Sequence, residues 1–294
     1  MLRPTLAFLA GAALLAGCPA ANDDDSAGTS EMAITLDFAA KVGTADVVCG
    51  GSYEDMGAMG TTVQIKDFRA YISRIRLRNS DGDMVPLELD QDTPWQHEDL
   101  ALIDFEDGTG ACAETGTAET NMTITGTVPE GTYDEVEFDL GVPFGHNHGD
   151  SATAPSPLNL VSMQWNWQGG YKFVRIDMAN EGAPPMNNWF FHLGSTGCES
   201  DASSTPPQVE CAKPNRPTYS FQNFDHANDT LVLDLAGVLD DVDVSTNTLD
   251  TPPGCMSFPA DVDDCVDLFP NLGLDWDSGE CSGNCGAQSF IRVE

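Results

Sequence analysis

The feature that most constrains the fold is a period-two alternation of apolar and polar residues. It recurs in short runs and is nowhere replaced by a sustained 3.6-residue helical period. "MAITLDFAAKV" alternates early. In "TVQIKDFRAYISRIRLRNSDGDMVPLELD" the residues Tyr71, Ser73, Ile75 and Leu77 fall on one face and Arg74, Arg76 and Arg78 on the other. The turn signal "NSDGD" then folds the chain back into "MVPLEL", which reads as a half-buried hairpin. Further alternating segments are "NMTITGTV", "YDEVEFDLGV", "LVSMQWNWQ", "YKFVRIDM", "NWFFHLG" and "TLVLDLAGVL", with Gly, Pro, Asn and Asp between them. Only the last also fits a helix. Short strands with turn punctuation predict an all-β fold, a β-sandwich with long loops. From about Thr251 the chain is rich in Cys, Pro, Gly and Asp. That stretch is expected to be a disulfide-stapled C-terminal region of the same domain.

The N-terminus has a different character. "MLRPTLAFLAGAALLAGC" carries one Arg and then an apolar, small-residue run, the layout of an export signal and too short to span a bilayer. Its end, "LAGC", resembles the bacterial lipobox, which makes Cys18 the lipidated first residue of the mature chain. Residues 1–17 are then a lipoprotein signal peptide and 18–31 a flexible tether. Residues 32–294 form a single domain held at a membrane through lipid alone. The expected location is the periplasm. Pro19 stands where an Asp would retain a lipoprotein at the inner membrane, so the outer membrane or cell surface is favoured.

The formal net charge is −35. A chain so acidic repels nucleic acid and attracts cations. Five of its few basic residues, Lys66, Arg69, Arg74, Arg76 and Arg78, lie close together in sequence. They are expected to pair with the chain's own carboxylates. The runs "NDDDSAG", "LDDVDVSTNTLD" and "DVDDCVD" leave calcium as a second cation, although none has the EF-hand glycine. Setting Cys18 aside leaves an even number of cysteines, which in an exported chain argues for disulfides. Proximity in sequence pairs Cys49 with Cys112, Cys198 with Cys211, Cys255 with Cys265 and Cys281 with Cys285.

Two of the five histidines and two of the five tryptophans crowd into "GHNHGDSATAPSPLNLVSMQWNWQGGYKF". In an extended segment His146 and His148 point to one side with Cα atoms about 6.6 Å apart, near enough to share an ion. His192, in "NWFFHLGSTGC", sits in an apolar aromatic strand, where a satisfied core histidine or a held ligand is expected. His97 and His226 have charged neighbours and read as solvated. Met163, Trp165 and Trp167 share a face of a strand, so they fit either a sandwich core or a wall of a site over which the "HNH" loop folds. Enzyme signatures are thin. "HNHGDS" resembles the H-x-H-x-D-H zinc motif, but its last position is Ser151.

Read together, "TPWQHEDLALIDFEDGTGAC", "GVPFGHNH", "SPLNLVSMQWNWQGGYKF", "FHLGSTGC" and "CAKPNR" resemble the MbnP-type periplasmic copper-binding proteins, the four-cysteine partner of a metallo-mystery pair. The resemblance runs in order from about residue 32 to 290. It implies a copper site, Cu(I) being favoured, built from histidines and a tryptophan oxidised to kynurenine by an MbnH-like di-haem enzyme of the peroxidase class. Opening an indole creates a ketone and an aromatic amine that can coordinate, and imidazole suits copper. Carried onto this chain, the ligands are His148 and His192, with His146 third. The oxidised residue is Trp165 or Trp167, with Trp95 an outside candidate. Asp104 and Glu106 fall in a family motif without an assigned role. The implied function is copper acquisition or handling, without turnover. The rivals are a copper or zinc enzyme that uses the same histidines, and a metal-free binding lipoprotein.

Overall fold

A computed structural model describes residues 30–114, 116–180, 188–281 and 285–294. The signal peptide, the lipobox cysteine Cys18 and nearly all of the tether lie outside the described residues.

Two sheets close over one apolar core. The first sheet runs in the order Ile291–Val293, Thr230–Asp234, Glu31–Val42, Thr123–Pro129 and Glu88–Leu89. In Glu31–Val42 the alternate residues Ile34, Leu36, Phe38 and Ala40 are buried, so the period-two pattern becomes a core face. The second sheet is organised around the long strand Thr61–Asn79, flanked by Tyr133–Leu140 and Val174–Asn180. Beyond these lie Thr218–Gln222 on one side and Trp189–Leu193 with Gly254–Cys255 on the other. The sheets meet where Phe38 of the first packs edge-on against Phe138 of the second at 6.3 Å. Burying each such ring stabilises the fold by roughly 2–3 kcal/mol.

The arginine stripe pairs with the chain's own acids. Arg78, Arg76 and Arg74 of the long strand meet Glu135, Glu137 and Asp139 of its antiparallel neighbour. The register slips between Glu137 and Asp139, where Arg74 takes a left-handed φ of 52°. That bulge re-aims the Arg74 backbone, whose N–H donates to the Asp99 carbonyl at 2.8 Å. Hairpin partners form as expected: Met84–Pro86 pairs with Arg76–Arg78, and Asn79 Oδ1 accepts the N–H groups of Asp81 and Asp83. "TLVLDLAGVL" divides into the strand Thr230–Asp234 and one helical turn, Leu235–Val238, capped by Asp234.

All four expected cysteine pairs are bridged: Cys49–Cys112, Cys198–Cys211, Cys255–Cys265 and Cys281–Cys285. The C-terminal region holds two of these, single helical turns and the closing strand Ile291–Val293, which rejoins the first sheet. It belongs to the same core through Leu268, Phe269, Leu272 and Phe290.

Two local expectations are corrected. "GHNH" is not extended: Phe144–Asn147 is one helical turn entered through Pro143. "LVSMQWNWQ" is a strand only over Gln164–Asn166, paired with Gly170–Tyr171, so Trp167 lies in the turn and is 37 % exposed. In both cases the buried Asn147 amide decides the path, because its Oδ1 accepts the Tyr171 N–H at 2.8 Å and draws the helical turn onto the hairpin.

Candidate metal centre

The helical turn splits the histidine pair. His146 points toward the short hairpin formed by Gln96–His97 and Leu100–Asp104. There its ring lies 5.9 Å from that of His97, edge to face. Glu98 stands between them, with carboxylate oxygens 3.6 Å from His97 Nε2 and 3.4 Å from His146 Nε2. One donor atom from each of the three lies within 4.8 Å of the others. Glu98 occupies the tip of the hairpin with a left-handed φ of 51°. Gln91 holds it there, accepting the Glu98 N–H at 2.7 Å and donating to its carbonyl at 3.2 Å. Arg74, itself left-handed, is bonded through its backbone N–H to Asp99, the residue after the left-handed Glu98. Such positions concentrate where side chains are aimed for function.

Asp99 supplies the charge environment. Its hydrogen bond and charge hold His146 above the usual imidazole range despite partial burial, and His146 in turn lowers the Asp99 carboxyl. A cleft of about 770 Å³ opens beside this group, with His146, Glu98 and Asp99 on one wall and Ile75, Leu87 and Leu89 among its apolar lining.

His148 faces the other way. It is buried, and its Nδ1 lies 3.0 Å from the Trp167 carbonyl, so that nitrogen carries the proton. Its Nε2 accepts from the Asn147 amide at 3.2 Å and sits 3.6 Å from Cys211 Sγ. Burial lowers its pKa, with the Trp167 bond acting against that. The expected contact between the "HNH" segment and "WNW" therefore forms, but through a backbone carbonyl rather than an indole face.

His192 is buried and hydrogen-bonded to a carboxylate. Its Nε2 meets Asp177 at 2.6 Å, and its ring stacks on Phe190 at 5.6 Å. Burial pushes the imidazole pKa down. Burial would raise Asp177, but the bonds and charges of His192 and Arg175 outweigh it and hold the carboxyl well below its usual range. Arg175 doubles the contact to Asp177 at 2.6 and 3.0 Å and lies 3.2 Å from Asp67. The clusters of three or more metal-ligating groups among the described residues do not include His192.

Trp165 packs against Phe258 at 5.0 Å, and its ring lies over Gly194 so closely that a Cβ there would meet Cζ3 at 2.5 Å. Trp95 immediately precedes the strand Gln96–His97 and is half-buried against the core. Gln96 turns inward to the Asp90 and Thr125 carbonyls, and the Trp95 carbonyl accepts the Leu102 N–H at 2.9 Å.

The MbnP family profile matches residues 31–257. The chain belongs to the MbnP family. A solved structure, MbnP from Methylosinus trichosporium, is similar to it at 31 % identity with a TM-score of 0.79, covering 90 % of this chain and 98 % of that one. No curated protein matches.

Within this family member the fold brings together His146 and His97, and leaves His148 and His192 in separate surroundings. From the sequence His97 reads as solvated, because its neighbours are charged. Those charges, Glu98 and Asp99, are the groups that join the two rings. Asp104 and Glu106 flank the wholly buried Arg69, and burial pushes Asp104 up to about 8. Glu106 accepts the N–H groups of Gly108 and Thr117 at 3.0 and 2.7 Å, so this pair organises the loop that carries the Cys49–Cys112 bridge.

Proposed function

We propose that this chain binds copper as cargo at His97 and His146, with Glu98 as a third donor or outer support, and that Trp95 is the tryptophan a di-haem partner oxidises to kynurenine. The observation that carries the reading is the His97–Glu98–His146 cluster, with its donor atoms within 4.8 Å. Two imidazoles and few other donors suit Cu(I). Trp95, in the turn that leads into the strand Gln96–His97, is the indole two residues from one of those imidazoles. Trp165 is packed between Phe258 and Gly194, and Trp167 lies in the exposed turn. The ligand set read from the sequence, His148 and His192 with His146 third, thereby keeps His146 and exchanges the other two for His97. The oxidising power comes from the haem partner, because this chain offers only the indole. Export and lipid attachment through Cys18 place the protein in the periplasm, at the outer membrane or cell surface. Among the described residues no helix is long and apolar enough to cross a membrane.

A second reading, a mononuclear copper or zinc enzyme, draws on the cleft that opens beside His146 and Glu98, since a catalytic ion needs an open position and a nearby acid or base.

The test is co-expression with the haem partner, digestion and mass spectrometry. The expected result is loss of one carbon and gain of one oxygen at Trp95, together with copper retention that His97→Ala or His146→Ala abolishes and His192→Ala leaves intact. Oxidation confined to Trp165 or Trp167, or copper loss from His192→Ala alone, overturns the assignment. Turnover of substrate by the copper-loaded protein would favour the enzyme reading.

A further inference from the structure

The surroundings of His148 point to a second site that the His97–His146 pair does not use. We infer that reduction of the Cys198–Cys211 disulfide unmasks a soft-metal site in which His148 Nε2 and the two cysteine sulfurs bind Cu(I). One donor atom from each of these three residues lies within 4.8 Å of the others. The imidazole is already set for ligation. Its Nδ1–H is committed to the Trp167 carbonyl at 3.0 Å, which leaves the Nε2 lone pair 3.6 Å from Cys211 Sγ. A metal-binding imidazole is commonly oriented in this way, by a backbone acceptor on its other nitrogen. The amide that holds Nε2 at present, Asn147 Nδ2, also reaches Ser195 Oγ at 3.4 Å, so it has a second acceptor if an ion takes its place.

Access is built in. Clefts of about 210 and 460 Å³ open at the bridge, one lined by Cys198 and the other by Cys211. The stretch that joins the two cysteines, residues 199–210, contains no helix or strand and is mostly exposed, so it can follow the sulfurs as they separate. The balance is simple. A dithiol reductant gives two electrons and two protons to the Cys198–Cys211 bond and is itself oxidised to a disulfide. The Cu(I) ion then displaces both thiol protons, leaving two thiolates and one neutral imidazole on the metal. Thiolate donors select Cu(I) over harder ions.

This site is independent of the proposed His97–His146 centre, and the test keeps them apart. The full mature chain is treated anaerobically with dithiothreitol, freed of reductant and titrated with Cu(I) against bathocuproine disulfonate. The same is done with the Cys198→Ser/Cys211→Ser variant and with unreduced protein. The unreduced chain reports the first centre, and the difference between reduced wild type and reduced variant reports the second. Reduced wild type should take up one equivalent of Cu(I) more than the variant, with sulfur scattering in its X-ray absorption spectrum and a nitrogen contribution lost in His148→Ala. In wild type alone, Cu(I) should protect Cys198 and Cys211 from alkylation in the peptide map, which needs no variant to fold. Equal uptake by wild type and variant, or alkylation of both cysteines undiminished by Cu(I), overturns the inference.

Discussion

Replacing Asp177 by Asn tests whether His192 serves the fold or the metal. The carboxylate is one partner of a buried ionic group: it receives His192 at 2.6 Å and two bonds from Arg175 at 2.6 and 3.0 Å. Breaking a buried ion pair from one side costs about 3–5 kcal/mol, because the remaining charge is stranded in a low-dielectric interior. Here Arg175 keeps Asp67 at 3.2 Å and the Ser162 carbonyl at 3.0 Å, which places the loss at the lower end, about 3 kcal/mol. At roughly 2 °C per kcal/mol for a chain of this size, the melting temperature should fall by about 6 °C. The assay is thermal unfolding followed by circular dichroism with disulfides intact, paired with copper stoichiometry at saturating metal. Stability should drop while copper binding in the folded state is unchanged. A variant as stable as wild type, within about 0.5 kcal/mol, refutes the ionic account. A stable variant that no longer retains copper would return His192 to the metal site.

Other predictions follow from the same reading of charge. Asp104 is pushed up to about 8, so the folded chain holds a proton that the unfolded chain releases near pH 4; its unfavourable contribution grows from there until pH 8. Asp104→Asn should therefore be neutral near pH 4 and stabilising by a few kcal/mol at pH 8, read by urea unfolding at both values; a gain at acid pH alone would contradict this. Because Asp99 raises His146, protons compete with metal for that imidazole, and copper affinity should weaken as pH falls from 8 toward 6. Asp99→Asn lowers the His146 pKa, so at pH 6 the variant should bind copper less pH-dependently than wild type, measured by competition titration alongside an NMR titration of His146. The raised His146 also favours the fold at low pH. The gain is full below the unfolded imidazole value and is lost as pH rises through the folded one, so Asp99→Asn should destabilise more at pH 5.5 than at pH 8.5. Gly194→Ala should disturb Trp165, whose Cζ3 would stand 2.5 Å from the new Cβ, and shift its fluorescence without altering copper retention.

The sequence determined what repeats or what is local. Period two in "MAITLDFAAKV" reports which residues face the core whatever strand lies alongside, and Ile34, Leu36 and Phe38 are buried as that pattern requires. Each bridged cysteine is joined to the next one along the chain, and all four pairs are those that sequence order implies. The family was legible too, because several separated motifs stand in the right order. The site was not. Spacing placed His146 and His148 on one side because it assumed extended chain. The helical turn at Phe144–Asn147, fixed by the hydrogen bond from Asn147 to the distant Tyr171, sends one ring to Glu98 and the other to Cys211. His97 looked like solvated surface because only folding brings the "QHED" hairpin tip against that turn, through an Arg74 bulge that no local pattern announces. Local periodicity encodes which face of a strand is wet, whereas a metal site is a meeting of segments distant in sequence, decided by packing and backbone bonds that form only in the finished fold.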